Sequence, residues 1–145
     1  MNDAVSNQTT KQPTTALYSI LETAHALEAK LETVLDEAGL SGAKFSVLSE
    51  LVRSGEPLPL SELAARLSCV RSNMTQLVDR LESDGLVRRV ACPTDRRSVK
   101  AEITEEGTRR QADGAQRVGD LERRLAEQVS DLDGAAIDRM MRALR

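Results

Sequence analysis

Midway along this chain the hydrophobic period changes from that of a helix to that of a strand, and the change falls at a glycine. Before Gly85, the residues Met74, Leu77, Val78 and Leu81 stand at i, i+3, i+4 and i+7. That spacing buries one face of a helix over Arg71–Ser83, closed by Asp84-Gly85. Beyond the glycine, residues 86–91 read as a strand, and Val99, Ala101 and Ile103 alternate with charged or polar neighbours as a half-exposed strand requires. Pro93, Thr94 and Asp95 supply a turn between them, so a β-hairpin follows the helix. Just upstream, Leu63, Ala64 and Leu67 give a short helix over 61–67 its inner stripe, with Ser61 as the expected N-cap. Ser68, Cys69 and Val70 form the break between the two helices.

The flanks are helical. Over 14–38, Leu17, Ile20, Ala24, Leu27, Leu31, Val34 and Ala38 recur at spacings of three and four, the seam of a coiled coil or of a tightly packed helix pair. Thr14 or Thr15 can cap this helix, and Gly39 ends it. A second helix is expected over 41–53, stopped by Gly55 and by Pro57-Leu58-Pro59. Residues 105–130 form a long charged helix with Val118, Leu121, Leu125 and Val129 as its stripe, where Gly114 and Gly119 are expected to mark a bend. Asp131 or Asp133 can cap a last helix bearing Ile137, Met140, Met141 and Leu144. Residues 1–13 are polar and are expected to be a disordered tail. The fold class is therefore mainly α with a small β-hairpin. In one domain, 14–38 and 105–145 pair as a helical dimerisation region around a central unit, 39–104.

Composition narrows the function. One Tyr, one Phe and no Trp leave the core to Leu, Val, Ile, Ala and Met. The net charge is −3, yet residues 53–100 carry nine Arg or Lys against six acids, so a basic middle lies between acidic flanks. Local potential counts for more than the total in attracting a polyanion. Two Cys without CxxC spacing and a single His leave no metal site, and no cofactor is expected. No apolar run suits a membrane span or a signal peptide, so the expected location is the cytoplasm with no membrane partner. Neither clustered carboxylates nor a Gly-rich phosphate loop is present, which argues against an enzyme, with no catalytic residues.

Two short helices joined by a tight turn and followed by a hairpin make a winged helix-turn-helix pattern. Opposite the buried stripe of its second helix lie Ser72, Gln76, Asp79 and Ser83, flanked by Asn73 and Arg80. In a major groove, Ser72, Asn73, Thr75 and Gln76 can reach base edges, since Asn and Gln bond adenine in bidentate fashion and Thr offers a hydroxyl and a methyl. Arg71 and Arg80 suit phosphates. Asp79 would repel a phosphate and is expected to pair with a neighbouring Arg. At the hairpin tip, Asp95, Arg96 and Arg97 set two guanidinium groups on a protruding turn, suited to a narrow minor groove, with Asp95 as the carboxylate that orients an arginine.

These residues resemble the MarR family of bacterial transcription regulators. The likeness runs through Leu60-Ser61-Glu62-Leu63-Ala64, then Arg71 through Glu82, then Gly85-Leu86-Val87-Arg88-Arg89, and on through Asp95-Arg96-Arg97 to Ile103-Thr104-Glu105-Glu106-Gly107. The family's wing motif looks like Asp-any-Arg, three variable residues, Val, one variable residue, then Leu-Thr. Asp95, Arg97 and Thr104 match it, Ile103 is conservative, and Ala101 replaces the Val. The resemblance implies a homodimer formed by the terminal helices on a double-stranded, pseudo-palindromic operator, acting as a repressor. It implies Arg97 in the minor groove with Asp95 behind it, and Ser72, Asn73, Thr75 and Gln76 as major-groove readers. Two departures are Val70, where the family usually has a capping Ser or Thr, and Ser68 in place of a common turn glycine.

Such regulators often release DNA when a small phenolic inducer binds or a cysteine is oxidised. His25 on the first helix is a candidate pocket residue, although the dearth of aromatics removes the usual stacking partners of a phenol. Cys92 begins the turn among Arg88, Arg89, Arg96 and Arg97, a setting that activates a thiol, and is the candidate redox switch. Cys69 is expected to be buried and inert. The alternatives are a helical interaction module that uses the same fold without DNA, or a thiol-based redox sensor acting through Cys92.

Overall fold

The computed structural model describes residues 16–91, 99–129 and 134–143. The element order is α1 (Ala16–Asp36), α2 (Gly42–Ser54), β1 (Leu58–Pro59), α3 (Leu60–Arg66), α4 (Arg71–Ser83), β2 (Val87–Ala91), β3 (Val99–Ile103), α5 (Glu105–Gln128) and α6 (Gly134–Ala143). The chain divides into two units, Met1–Lys30 and Leu31–Arg145. In the first, the described residues belong to α1 and are all exposed, including Leu17, Tyr18, Ile20, Leu21 and Leu27.

The second unit holds the core. Leu35, Val47, Leu48, Leu51, Leu63, Met74, Val78, Leu81 and Leu86 are its largest fully buried side chains. Their removal from water supplies most of the folding drive, at roughly 1.5–3 kcal/mol for each large aliphatic side chain. Ser41 caps α2 by accepting from the Lys44 amide at 3.3 Å. Helix α4 runs over the residues its periodicity predicts, and Met74, Val78 and Leu81 are its buried residues, with Leu77 half-buried beside them.

Two expectations are corrected. Ser61 is not the cap of α3: the helix begins one residue earlier, with Pro59 at the cap position and no side-chain capping bond. Proline suits a helix start because the amide it lacks would be unpaired there. The stretch Pro57-Leu58-Pro59 does more than stop α2. Leu58 pairs with Ala101 and Pro59 with Lys100, so the hairpin becomes a three-stranded antiparallel sheet in the order β1-β3-β2. Pro59 is tolerated because β1 is an edge strand. Helix α5 runs unbroken through Gly114 and Gly119. Gly114 is buried, and a Cβ on it would come within 3.0 Å of Phe45 Cδ2 and 3.3 Å of Leu35 Cδ2. The missing side chain lets α5 approach α2 closely.

The hairpin register is Val87 with Ile103, Arg88 with Glu102, Arg89 with Ala101, Val90 with Lys100 and Ala91 with Val99. The expected alternation holds at Ala101, which is fully buried, while Val99 at the far end is exposed. The turn Pro93-Thr94-Asp95, the caps at Thr14 or Thr15 and at Asp131 or Asp133, Leu144 and the tail 1–13 lie outside the described residues.

Candidate nucleic-acid interface

Helix α4 presents a polar face because its apolar residues all go into the core. Arg71, Ser72, Asn73, Thr75, Gln76, Asp79 and Arg80 are exposed along it. Ser72, Asn73 and Gln76 make no side-chain hydrogen bond among the described residues, so their donors and acceptors face solvent. Thr75 differs: its hydroxyl donates to the Arg71 carbonyl at 3.1 Å. It therefore offers a methyl and oxygen lone pairs outward, but not its proton. Arg71 and Arg80 form no ion pair among the described residues.

Helix α4 starts at Arg71, with Val70 extended at the cap position and without a side-chain cap. The first-turn amides lack the oxygen that Ser or Thr would supply, and such amides accept an anion readily. The turn before it closes the preceding helix: Cys69 N–H donates to Ala64 O at 2.8 Å and Ser68 N–H to Ala65 O at 3.3 Å. Ser68 holds a left-handed φ of 50° to do so. Cys69 is half-buried rather than buried. With Ala43, Ser46, Leu67, Met74 and Leu77 it lines a cleft of ≈230 Å³ between α2 and the helix-turn-helix. The α3–α4 turn must bend back at once, and this leaves the thiol at the edge of the core.

Asp79 meets a neighbouring arginine, as expected, and the partner is Arg89 on β2, whose Nη2 lies 2.6 Å away. Nη1 of the same guanidinium lies 2.6 Å from Glu82 Oε2, and the Arg89 amide donates to Glu82 Oε1 at 3.1 Å. Burial alone lowers the Arg89 pKa, but the hydrogen bonds and charges of Asp79 and Glu82 outweigh it and raise the pKa overall. Arg88, one residue earlier, pairs across the hairpin with Glu102, whose hydrogen bond and charge raise its pKa. Lys44 of α2 holds Asp84 at 2.6 Å, which fixes the C-terminal end of α4.

The same end is tied to α5. Thr104 donates from its hydroxyl to Gly85 O at 2.7 Å and from its amide to Leu86 O at 3.1 Å, while accepting from Gly107 N–H at 3.0 Å. One side chain thus caps α5 and clamps the turn that follows α4.

Among the remaining expected site residues, Cys92, Asp95, Arg96 and Arg97 lie outside the described residues. His25 is exposed on α1 and lines neither the cleft beside Cys69 nor a second, of ≈350 Å³, near Leu51, Pro57 and Glu102. Arg89 was not among the expected site residues. Its signal was the need to neutralise Asp79, which named a type of partner without its position.

Two short helices crossing through a tight turn, backed by a small antiparallel sheet, define a winged helix-turn-helix protein. A family model described as MarR family matches residues 40–99. The transcriptional regulator PecS of Dickeya dadantii (strain 3937) is 35% identical over 83 residues, which are 56% of this chain and 50% of PecS. MhqR of Bacillus subtilis (strain 168) is 33% identical over 92 residues, 63% of each chain. The matched stretch thus spans half to two thirds of these curated relatives. Among solved structures, the MarR family regulator Sco3205 from Streptomyces coelicolor, in complex with DNA, is 30% identical. That match covers 88% of this chain and 82% of Sco3205, with a TM-score of 0.80. The regulator MOSR of M. tuberculosis, in complex with DNA, is 26% identical over 89% of this chain and 92% of its own, with a TM-score of 0.72. The chain belongs to the MarR family. The relatives named here are regulators and not enzymes, in line with the absence of a catalytic constellation in the sequence. No helix among the described residues is long and apolar enough to cross a membrane.

Proposed function

We propose that this chain is a DNA-binding transcription repressor that holds a pseudo-palindromic operator as a homodimer. The observation that carries the reading is the outer face of α4. Ser72, Asn73 and Gln76 have no side-chain partner among the described residues, while Asp79 and Glu82 are already paired with Arg89, leaving Arg71 and Arg80 as the cations facing out. In this reading Ser72, Asn73, Thr75 and Gln76 meet base edges in the major groove, and Arg71 and Arg80 meet phosphates. Arg97, oriented by Asp95 and assisted by Arg96, enters the adjacent minor groove. The complexes of Sco3205 and MOSR with DNA support it by likeness. Residues 14–38 and 105–145 form the dimer, and 39–104 the DNA-binding region, in a cytoplasmic protein.

A gel-shift titration with the DNA upstream of its own gene tests the reading. Gln76→Ala is expected to change preference at particular bases, at about 1–3 kcal/mol. Arg97→Ala is expected to weaken binding to many sequences alike and to lower the salt dependence by about one ion. Wild-type affinity of Arg97→Ala at moderate salt would remove the wing from the interface. A small-molecule or oxidative signal would release the operator. Equal operator affinity before and after peroxide treatment would exclude Cys92 as the switch.

A further inference from the structure

Arg89 belongs to a strand, yet its charge is spent on a helix. Asp79 and Glu82 are the acids of α4, and one guanidinium spans both at 2.6 Å while the Arg89 backbone amide holds Glu82 a second time. The arrangement is not a loose surface pair. The Arg89 side chain is 26% exposed, against 68% for Arg88, which turns instead to Glu102 across the hairpin. Taken alone, α4 carries two arginines and two acids and is neutral. With Arg89 added, both acids are hydrogen-bonded to one guanidinium, and the sum over α4 and Arg89 becomes +1.

A phosphate backbone favours that net charge and penalises any carboxylate left unpaired near it. We propose that Arg89 is a positioning residue for DNA recognition. It engages both carboxylates of the reading helix, offsets half of their charge and ties the base of the hairpin to that helix, without itself touching DNA. This rests on the DNA-binding reading above. Arg89 thereby couples the two parts of the interface, α4 and the hairpin, through three bonds that no other strand residue makes to α4 among the described residues.

The test uses the full chain and a duplex that the wild type selects from a random-sequence pool. Affinity is measured over a range of salt for Arg89→Ala, for Asp79→Asn/Glu82→Gln, and for the triple variant, with the thermal midpoint of each. Arg89→Ala is expected to bind about tenfold more weakly at low salt, the deficit narrowing as salt rises, because two unscreened carboxylates then face the phosphates. The triple variant is expected to recover to within about threefold of wild type, since the repulsion is gone. Asp79→Asn/Glu82→Gln, which keeps Arg89, is expected to bind at least as tightly as wild type.

Three results would overturn the proposal. One is wild-type affinity in Arg89→Ala. The second is a triple variant that melts like wild type but stays as weak as Arg89→Ala, which would make Arg89 a DNA contact. The third is loss of affinity in Asp79→Asn/Glu82→Gln. A wild type that selects no duplex would instead overturn the DNA-binding reading, and this proposal with it.

Discussion

At the scale of single residues, the helix-turn-helix contains a strained serine. Helices α3 and α4 end in the same pattern of backbone bonds: Cys69 N–H reaches Ala64 O at 2.8 Å, and Leu86 N–H reaches Leu81 O at 2.9 Å. The pattern needs a left-handed residue just before the closing amide. Gly85 fills that place after α4 with φ 73°, whereas Ser68 fills it after α3 with φ 50°. A residue with a Cβ pays about 1–2 kcal/mol to sit there, while glycine costs about 0.4–1 kcal/mol more entropy on folding. Ser68→Gly is therefore expected to stabilise the chain by roughly 0.5–1 kcal/mol, read as a higher urea midpoint at unchanged slope. The sequence marked the position as one where relatives often carry glycine. The left-handed φ gives the physical reason and the direction of the effect.

At the scale of elements, the junction between β3 and α5 sets how the reading helix is held. Gly107 lies against the turn after α4 so closely that a Cβ on it would stand 2.0 Å from Leu86 O, a backbone atom that cannot swing aside. Gly107→Ala must push α5 away from that turn and lengthen the Thr104 bonds. It is expected to cost about 1–3 kcal/mol in a denaturant titration, and to lower operator affinity beyond what the lost stability explains. Much of this architecture was legible beforehand. Helix α4 and strand β3 have the predicted bounds because a helical stripe and a period-two alternation each extend over enough residues to fix them. Strand β1 was not legible, since two residues, one of them a proline, carry no period. The misplaced cap at Ser61 has a similar cause: a serine near a helix start does not fix the cap when a proline two residues earlier can take that position. Arg89 escaped because alternation assigns a residue to a face of the sheet, while a long side chain can leave that face to reach a neighbouring helix.

At the scale of the whole molecule, the described chain leaves a good deal of apolar surface in water. Leu17 is 63% exposed, and Ile20, Leu21 and Leu27 all exceed 40%; on α6, Met141 is 51% exposed. Repeated apolar exposure on helical faces marks an interface. Since Leu17, Ile20 and Leu27 belong to the seam read from the sequence, a second copy is the proposed cover. Sedimentation of the wild type is expected to show a dimer, and Leu17→Glu/Ile20→Glu a monomer. The monomer's operator affinity should fall on the order of a hundredfold, because two linked half-sites gain from each other's occupancy. A double variant that remained dimeric would take α1 out of the interface.

The Thr104 clamp has a consequence for the operator as well. In a dimer built through α5, the two reading helices have no slack relative to the helices that join them. One base pair inserted between half-sites moves the second by about 3.4 Å and turns it about 34° around the duplex axis. A joint this tight cannot follow that rotation. A dimer so built is expected to be tuned to the helical phase of its operator, so that the distance between half-sites becomes part of the message it reads.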